Sequence, residues 1–156
     1  PAAVNNLSSI SITFASNEPL ADATCSYDGG AAAACTALTY SRSNVPEGQH
    51  SLVLNVHDLA GNAASKTVAW RTDKTKPVLA VEPLNGKWSV TSNESTHVVA
   101  TGLNATIAAN QVKSWGTLPT GVGNHSITVT GTDTAGNVQT AIGYHCVDNP
   151  SGTICD

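Results

Sequence analysis

The chain has 156 residues, a formal net charge of −4 and 12% charged residues, with only seven lysines and arginines. These basic residues are scattered, which argues against binding to nucleic acid or to an anionic membrane surface. No run of about 18 apolar residues is present, so we expect no membrane insertion. A secretion signal peptide is also missing, and we interpret the chain as a mature part of a longer chain with flanking domains.

Alternating apolar and polar residues predict strands along most of the chain. In chain order, this pattern is found at Ile10–Phe14, Leu52–Val56, Val68–Trp70, Trp88–Val90 and Ile127–Val129. A period of two residues is typical of strands that bury one face. Helical periodicity is nearly absent, since the one segment with helical propensity, Ala31–Ala34, is too short to be stable alone.

Turn residues separate these predicted strands. Asp28–Gly30 and Asn85–Gly86 are typical of tight hairpin turns. Ala60–Asn62 and Ala135–Asn137 predict turns between pairs of long strands. Strands that alternate with such turns indicate an all-β sandwich.

The four cysteines fall into two close pairs, Cys25 with Cys35 and Cys146 with Cys155. We predict that each pair forms a local disulfide, which would add stability to a small unit. The alternative is a zinc site, but no Cys-x-x-Cys spacing is present and the two pairs lie in different halves of the chain. Two disulfides predict an extracellular, cell-surface or periplasmic location.

The chain also repeats itself. The segment His50–Asn62 returns 75 residues later as His125–Asn137, and Ser16–Glu18 returns 76 residues later as Ser92–Glu94. Such a repeat predicts two related structural units in tandem. Function must therefore be considered for an array rather than for one site.

The repeat sets the predicted domain boundaries at residues 1–74 and 75–156. Each domain is near the lower size at which a core is self-sufficient. Between them, the segment Thr72–Pro77 is short and ends in a proline, so we expect a semi-rigid linker.

Several motifs together resemble a known family. The order of Ser16–Pro19, Thr24–Gly30, Gly48–His50 and Asp58–Asn62 resembles the bacterial Ig-like repeats of large secreted and surface proteins, adhesins among them. The resemblance covers most of the first half and the latter part of the second. It implies an all-β fold of two tandem Ig-like antiparallel β-sandwiches, each of about seven strands, joined by a short linker.

The repeated Asp-x-Ala-Gly-Asn motif has two interpretations. In the structural one, the aspartate accepts N–H bonds from the turn, while Gly supplies a positive φ. In the functional one, Asp73, Glu94 and Asp133 converge at the domain junction and bind calcium, a hard cation that takes six to eight oxygens. The resemblance to giant adhesins implies that calcium would stiffen the chain. Against this, only eleven acidic residues are present and the linker is not rich in aspartate.

The sequence contains no recognisable catalytic motif. His50 and His125 each follow a glycine by one residue and lead into an apolar strand, so we predict packing or turn-bonding roles for them. There is no Gly-x-Ser-x-Gly elbow, no His-Glu-x-x-His motif and no Gly-rich phosphate loop. We therefore predict that the protein is not an enzyme.

Trp70, Trp88 and Trp115 are candidates for a sugar-stacking platform. In the repeat, however, Trp88 aligns with Ile12 and Trp115 aligns with Tyr40, and the first of these pairs indicates a core position. Exposed, coplanar tryptophans would favour carbohydrate binding, and buried tryptophans would disfavour it.

From these observations we predict a non-catalytic Ig-like repeat segment of a bacterial extracellular or surface protein, serving in adhesion as a stalk or as a binding unit. The alternative is a carbohydrate-binding accessory module of a secreted polysaccharide-degrading enzyme. A third hypothesis is recognition of a host or prey surface protein through an added strand or through loops. The expected partners are thus flanking domains and a surface protein or glycan.

Overall fold

The computed structural model describes residues 1–35, 37–150 and 155. The chain divides into two compact units, Pro1–Lys74 (unit 1) and Thr75–Asp156 (unit 2). All regular structure in the described residues is β, which confirms the fold class predicted from the alternating pattern.

Unit 1 contains seven strands within its described residues. They are β1 (Val4–Asn5), β2 (Ser9–Thr13), β3 (Leu20–Tyr27), β4 (Ala33–Ala34), β5 (Thr39–Ser43), β6 (Gly48–Asp58) and β7 (Ala63–Thr72). One sheet has the order β1-β7-β6-β3-β4 and the other is the pair β2-β5. All pairs are antiparallel except β1 with β7, because β1 enters beside β7 and runs in the same direction.

The core of unit 1 lies between these two sheets. Ile10 and Ile12 of β2 face Leu52 of β6 and Trp70 of β7 within one buried cluster. The exposure pattern of β2 alternates strictly, as its sequence predicts. The period-two pattern therefore places one face of each sheet against the other.

Unit 2 also contains seven strands within its described residues. They are β8 (Leu79–Leu84), β9 (Lys87–Ser92), β10 (Thr96–Ala100), β11 (Leu103–Ile107), β12 (Lys113–Trp115), β13 (Gly123–Asp133) and β14 (Val138–Val147). Its sheets have the orders β11-β10-β13-β14 and β12-β9-β8. The β8–β9 turn has φ values of 50° at Asn85 and 73° at Gly86, which confirms the predicted hairpin turn.

The core of unit 2 is built in the same way. It contains Trp88 and Val90 of β9, Val98 of β10, Trp115 of β12 and Val129 of β13. All five side chains are more than nine-tenths buried. The short strands of unit 2 therefore meet the long β13–β14 hairpin through aromatic and branched side chains.

Cross-strand pairs occur at equivalent positions of the two units. Ile12 pairs with Tyr40 between β2 and β5, and Trp88 pairs with Trp115 between β9 and β12. The units differ in their first strand, since β1 joins the sheet of β7 whereas β8 joins the sheet of β9. As a result, β9 is paired on both edges, whereas β2 is paired with β5 on one edge.

Candidate functional site

The β13–β14 hairpin closes through a cluster of hydrogen bonds around Asp133. The Oδ1 atom of Asp133 accepts the backbone N–H groups of Ala135 and Asn137, both at 2.8 Å, and its Oδ2 atom accepts Asn137 Nδ2–H at 2.8 Å. The amide of Asn137 also donates to the carbonyl of Thr75 at 3.0 Å. Because Asp133 and Asn137 are buried, these bonds satisfy groups that water does not reach.

The β6–β7 hairpin of unit 1 has the same arrangement. Asp58 Oδ1 accepts the N–H groups of Ala60 and Asn62 at 2.8 Å, and Asp58 Oδ2 accepts Asn62 Nδ2–H at 2.7 Å. The side chain and the backbone N–H of Asn62 hold the pKa of Asp58 below its ordinary value. In both units the aspartate therefore makes the turn bonds that the structural interpretation of the motif predicts.

The three calcium candidates are divided between the units. Glu94 lies in the loop between β9 and β10, and Thr96, two residues later, pairs with Asp133. Glu94 and Asp133 are thus at the same end of unit 2. Asp73 belongs to unit 1, where its Oδ2 atom lies 3.3 Å from Arg71 Nη2. Calcium binding by Asp73, Glu94 and Asp133 stays a prediction.

Both predicted disulfides are formed. Cys25 and Cys35 are bonded with their Cα atoms 5.6 Å apart, and Cys146 and Cys155 with theirs 5.9 Å apart. Among the described residues, one group of three potential metal ligands comes together, namely Cys146, Asp148 and Cys155. Because both sulfurs of this group are in a disulfide, it has no thiolate to offer a metal.

The two repeated histidines make the same bond at the start of the long hairpins. His50 Nε2–H donates to the carbonyl of Pro46 at 2.9 Å, and His125 Nε2–H donates to the carbonyl of Gly121 at 2.6 Å. In each case the acceptor lies four residues earlier. Tyrosines play a similar role at the corresponding corner of many Ig-like sandwiches. The structure confirms the turn-bonding role predicted for both histidines.

His50 also belongs to a polar cluster with Asp28 and Tyr27, which the repeated sequence motif does not include. Its Nδ1 atom lies 2.8 Å from Asp28 Oδ2 and 2.7 Å from Tyr27 Oη, and the N–H of Ser51 donates to Asp28 Oδ1 at 2.7 Å. Burial opposes ionisation of Asp28, but the bonds from His50, Ser51 and Tyr27 outweigh it and lower the pKa of Asp28. Burial and the charge of Asp28 raise the pKa of Tyr27.

This cluster is a stabilising feature that sequence reasoning missed. Asp28 is predicted from the sequence only as a turn residue, and 22 residues separate it from His50. The guanidinium of Arg42 covers the ring of Tyr27 at 4.1 Å from the centroid. Because His50, Asp28 and Tyr27 bond to one another and to backbone groups of Pro46 and Ser51, the geometry of the cluster fits structural bonding.

The tryptophans do not form a sugar platform. Trp70, Trp88 and Trp115 are 2%, 5% and 7% exposed. The hypothesis of a tryptophan platform is therefore wrong, because their faces are used in the two cores. Among the described residues, Tyr144 of β14 is an exposed aromatic residue on a sheet face, at 68%, and it pairs with Ser126 of β13.

Comparison with known proteins gives a family. The model of the family described as bacterial Ig-like domain (group 3) matches residues 35–118, which is more than half of the chain. This chain belongs to the bacterial Ig-like domain family. The matched residues of this Ig-like chain run from the first disulfide to the segment after β12, so they include parts of both units. The resemblance drawn from the sequence motifs is confirmed.

Two solved structures are similar to this Ig-like chain. The fibronectin(III)-like modules of Clostridium thermocellum CbhA match with a TM-score of 0.52 at 13% identity, over 92% of this chain and 87% of that one. Bacteroides ovatus SGBP-B, of a mixed-linkage glucan utilization locus and in complex with a mixed-linkage heptasaccharide, matches with a TM-score of 0.36 at 16% identity, over 90% of this chain and 41% of that one. The first likeness shows an Ig-like or fibronectin-like fold. No curated protein sequence matches the chain.

Among the described residues, none forms an apolar helix of membrane-spanning length.

Proposed function

We propose that this chain is a non-catalytic, two-domain Ig-like segment of a bacterial extracellular or surface protein, serving in adhesion as a stalk or binding unit between flanking domains. The observation that carries the proposal is the repetition of structural bonding. The turn bonds of Asp58 recur at Asp133, and the corner bond of His50 recurs at His125. Aspartate and histidine, which often act in catalysis, thus make the same structural bonds at the hairpins of both units.

The disulfides support an oxidising location for this function. Cys25–Cys35 ties β3 to the segment after β4, and Cys146–Cys155 ties the end of β14 to the C-terminal segment. Such bonds persist outside the cytoplasm and limit local opening. A stalk that faces proteases needs this kind of protection.

The stalk function can be tested by using the chain as the spacer of a binding module displayed on a bacterial surface. A ligand-binding module of known specificity is fused to the chain and anchored on a bacterial cell, and ligand capture is measured under flow. The matched controls carry either no spacer or a Gly-Ser spacer of the same residue number. We expect capture with this chain to exceed capture without a spacer and to survive added protease better than with the Gly-Ser spacer. Equal protease sensitivity of the two spacers would contradict the stalk function.

One observation favours the alternative, carbohydrate binding. Tyr144 presents an exposed ring on the outer face of β14, beside the exposed Ile142 on the same face. An exposed aromatic face can stack on a sugar ring. A panel of soluble and insoluble polysaccharides should be tested with the chain and with Tyr144→Ala. The control is Thr128→Ala, at the residue of β13 that pairs with Ile142. Retention that is abolished by Tyr144→Ala and unchanged by Thr128→Ala would favour a carbohydrate-binding module.

A further inference from the structure

Strand β2 of unit 1 has an unpaired edge. It pairs with β5 on one side, whereas β9, its counterpart in unit 2, lies between β12 and β8. Within the described part of the chain, no strand pairs with the second edge of β2. Strand β1 does not cover it, because β1 pairs with β7 at Arg71 and Thr72.

The backbone groups on this edge can be assigned from the bonds on the other one. Phe14 N–H donates to the carbonyl of Leu38 at 2.8 Å, and the carbonyl of Ser8 accepts Val45 N–H at 3.0 Å. Because the direction of the N–H and C=O groups alternates along a strand, the backbone groups of the even-numbered residues of β2 point to β5. The N–H and C=O groups of Ser11 and Thr13 therefore point to the unpaired edge.

An apolar cleft of about 180 Å³ lies beyond the C-terminal end of β2, where the segment Ala15–Asn17 forms part of its lining. Its lining residues include Ala15, Leu20, Leu54, Val56 and Ala64. Lys66 is the charged side chain of the lining, and it makes no ion pair with another described residue. The cleft thus combines apolar walls with one free positive charge.

Unit 2 shows what occupies the corresponding place there. A Cβ atom added to Gly131 would lie 2.9 Å from Leu79 Cδ1, and one added to Gly143 would lie 2.5 Å from Val81 Cγ1. Leu79 and Val81 of β8 therefore lie directly against β13 and β14. The long hairpins align through their Asp-x-Ala-Gly-Asn turns, so Val56 and Val68 are the counterparts of Gly131 and Gly143.

The exposure of residues on β7 is consistent with the lack of a strand that covers it as β8 covers β14. On β7, Ala64 and Lys66 share the inward face with the buried Trp70 but are themselves exposed. Their counterparts on β14, Gln139 and Ala141, are partly buried. The inward face of β7 is therefore uncovered where β8 covers β14.

We propose that the edge of β2 and the adjoining cleft accept an extended segment of a partner protein, added as a strand. Its chemistry follows from the cleft: small aliphatic side chains at two alternate positions, and a carboxylate that reaches Lys66. The side chains must be smaller than Leu79 and Val81, because Val56 and Val68 fill space that Leu79 and Val81 occupy beside Gly131 and Gly143 in unit 2. This inference rests on the binding-unit form of the proposed function and names its partner.

The template for a test is β8 itself. One probe is a synthetic peptide with the sequence of residues 77–84, and the second carries Val in place of Leu79 and Ala in place of Val81. We expect both to bind the full chain, with the smaller-side-chain peptide at least about threefold tighter, because it fits beside Val56. Binding is measured by fluorescence anisotropy of the labelled peptides.

Two pairs of variants locate the binding. Ser11→Pro removes an N–H from the free edge and spares the backbone bonds to β5, as prolines do on edge strands. Both Ser11→Pro and Ser11→Ala lose the hydroxyl bond to Ser41, so their comparison isolates the N–H. Ser11→Pro should weaken binding about tenfold, whereas Ser11→Ala, which keeps the N–H, should change it less than about twofold. Lys66→Glu should weaken binding about fivefold or more for a peptide that carries Glu in place of Pro83, which shares a face with Leu79 and Val81, and the same peptide with Gln there should bind Lys66→Glu and the unchanged chain about equally.

A measurement on the unchanged chain covers the case in which Ser11→Pro does not fold. Bound peptide should slow amide hydrogen exchange at Ser11 and Thr13 but not on the outer strands of unit 2. No binding at 1 mM peptide, roughly the weakest affinity of interest, would overturn the inference. Binding that leaves these amides unprotected, or a concentration-dependent dimer of the chain that excludes the peptide, would overturn it too. The spacer assay under flow is independent of this result, so failure here leaves the stalk function standing.

Discussion

Replacing Asp133 with alanine should destabilise unit 2 strongly. Asp133 is 7% exposed, and its carboxylate accepts three N–H bonds, two from the backbone of the turn and one from the side chain of Asn137. Asp133→Ala leaves those three donors without their acceptor, and entering water restores part of the loss. With charged hydrogen bonds contributing about 1.5–3 kcal/mol each before that compensation, we expect a net loss of about 3 kcal/mol.

For a unit of this size, about 3 kcal/mol lowers the melting temperature by about 12–24 °C. Unfolding is followed by tryptophan fluorescence in a Trp70→Phe background, which leaves Trp88 and Trp115 as reporters of unit 2. The matched control is Asp58→Ala, which removes the same three bonds from a more exposed turn and should cost less. A loss below about 1 kcal/mol for Asp133→Ala, or one no larger than for Asp58→Ala, would refute this reasoning.

The same variant tests the calcium prediction for Asp73, Glu94 and Asp133. If these residues bind calcium, the unchanged chain should melt higher in millimolar calcium than in EDTA, and Asp133→Ala should remove that difference. If Asp133 only closes the turn, the variant should lower the melting temperature equally in both media. The two media thus separate ligand binding from turn stabilisation.

Three further changes test the packing, the staples and the charge cluster. Gly143→Ala should cost about 1–3 kcal/mol, because its Cβ would lie 2.5 Å from Val81 Cγ1, and urea unfolding of unit 2 measures the loss. Replacing Cys25 and Cys35 together with alanine should lower the free energy of unfolding by about 3 kcal/mol at a loop of this length, measured against the oxidised chain. The pKa of Asp28 is lowered in the folded state, so its ionised form stabilises the fold above the unfolded pKa. That stability is lost as pH falls below about 4, so Asp28→Asn should flatten the acid side of a plot of urea midpoint against pH.

The sequence was sufficient for the local structure. Alternation predicted the buried face of β2, and the Asn85–Gly86 pair predicted a hairpin turn whose positive φ values few other residues adopt. Spacing alone predicted both disulfides. These features depend on neighbours within about ten residues, which is the range over which residue patterns are informative.

The features that sequence reasoning missed depend on contacts between distant segments. The bond between Asp28 and His50 joins two hairpins, and neither local motif indicates it. The tryptophans illustrate the same limit, because an aromatic residue suits a sugar platform and a core equally well until its neighbours are known. Their burial came from cross-strand pairs such as Trp88 with Trp115.

The open edge of unit 1 did have a signal in the sequence. Val68, Lys66 and Ala64 precede Trp70 in steps of two and so share its face of β7. A lysine on that face indicates that the face is not covered there. In unit 2 the same face has Gly143, Ala141 and Gln139, where a glycine inside a strand indicates close approach of another segment. The two halves therefore differ at the residues that decide whether a first strand packs there. The double variant Val56→Gly and Val68→Gly should let the peptide with the sequence of residues 77–84 bind more tightly than its smaller-side-chain version. The reverse order of affinities in that double variant would show that the two valines do not set the side-chain size that the cleft accepts.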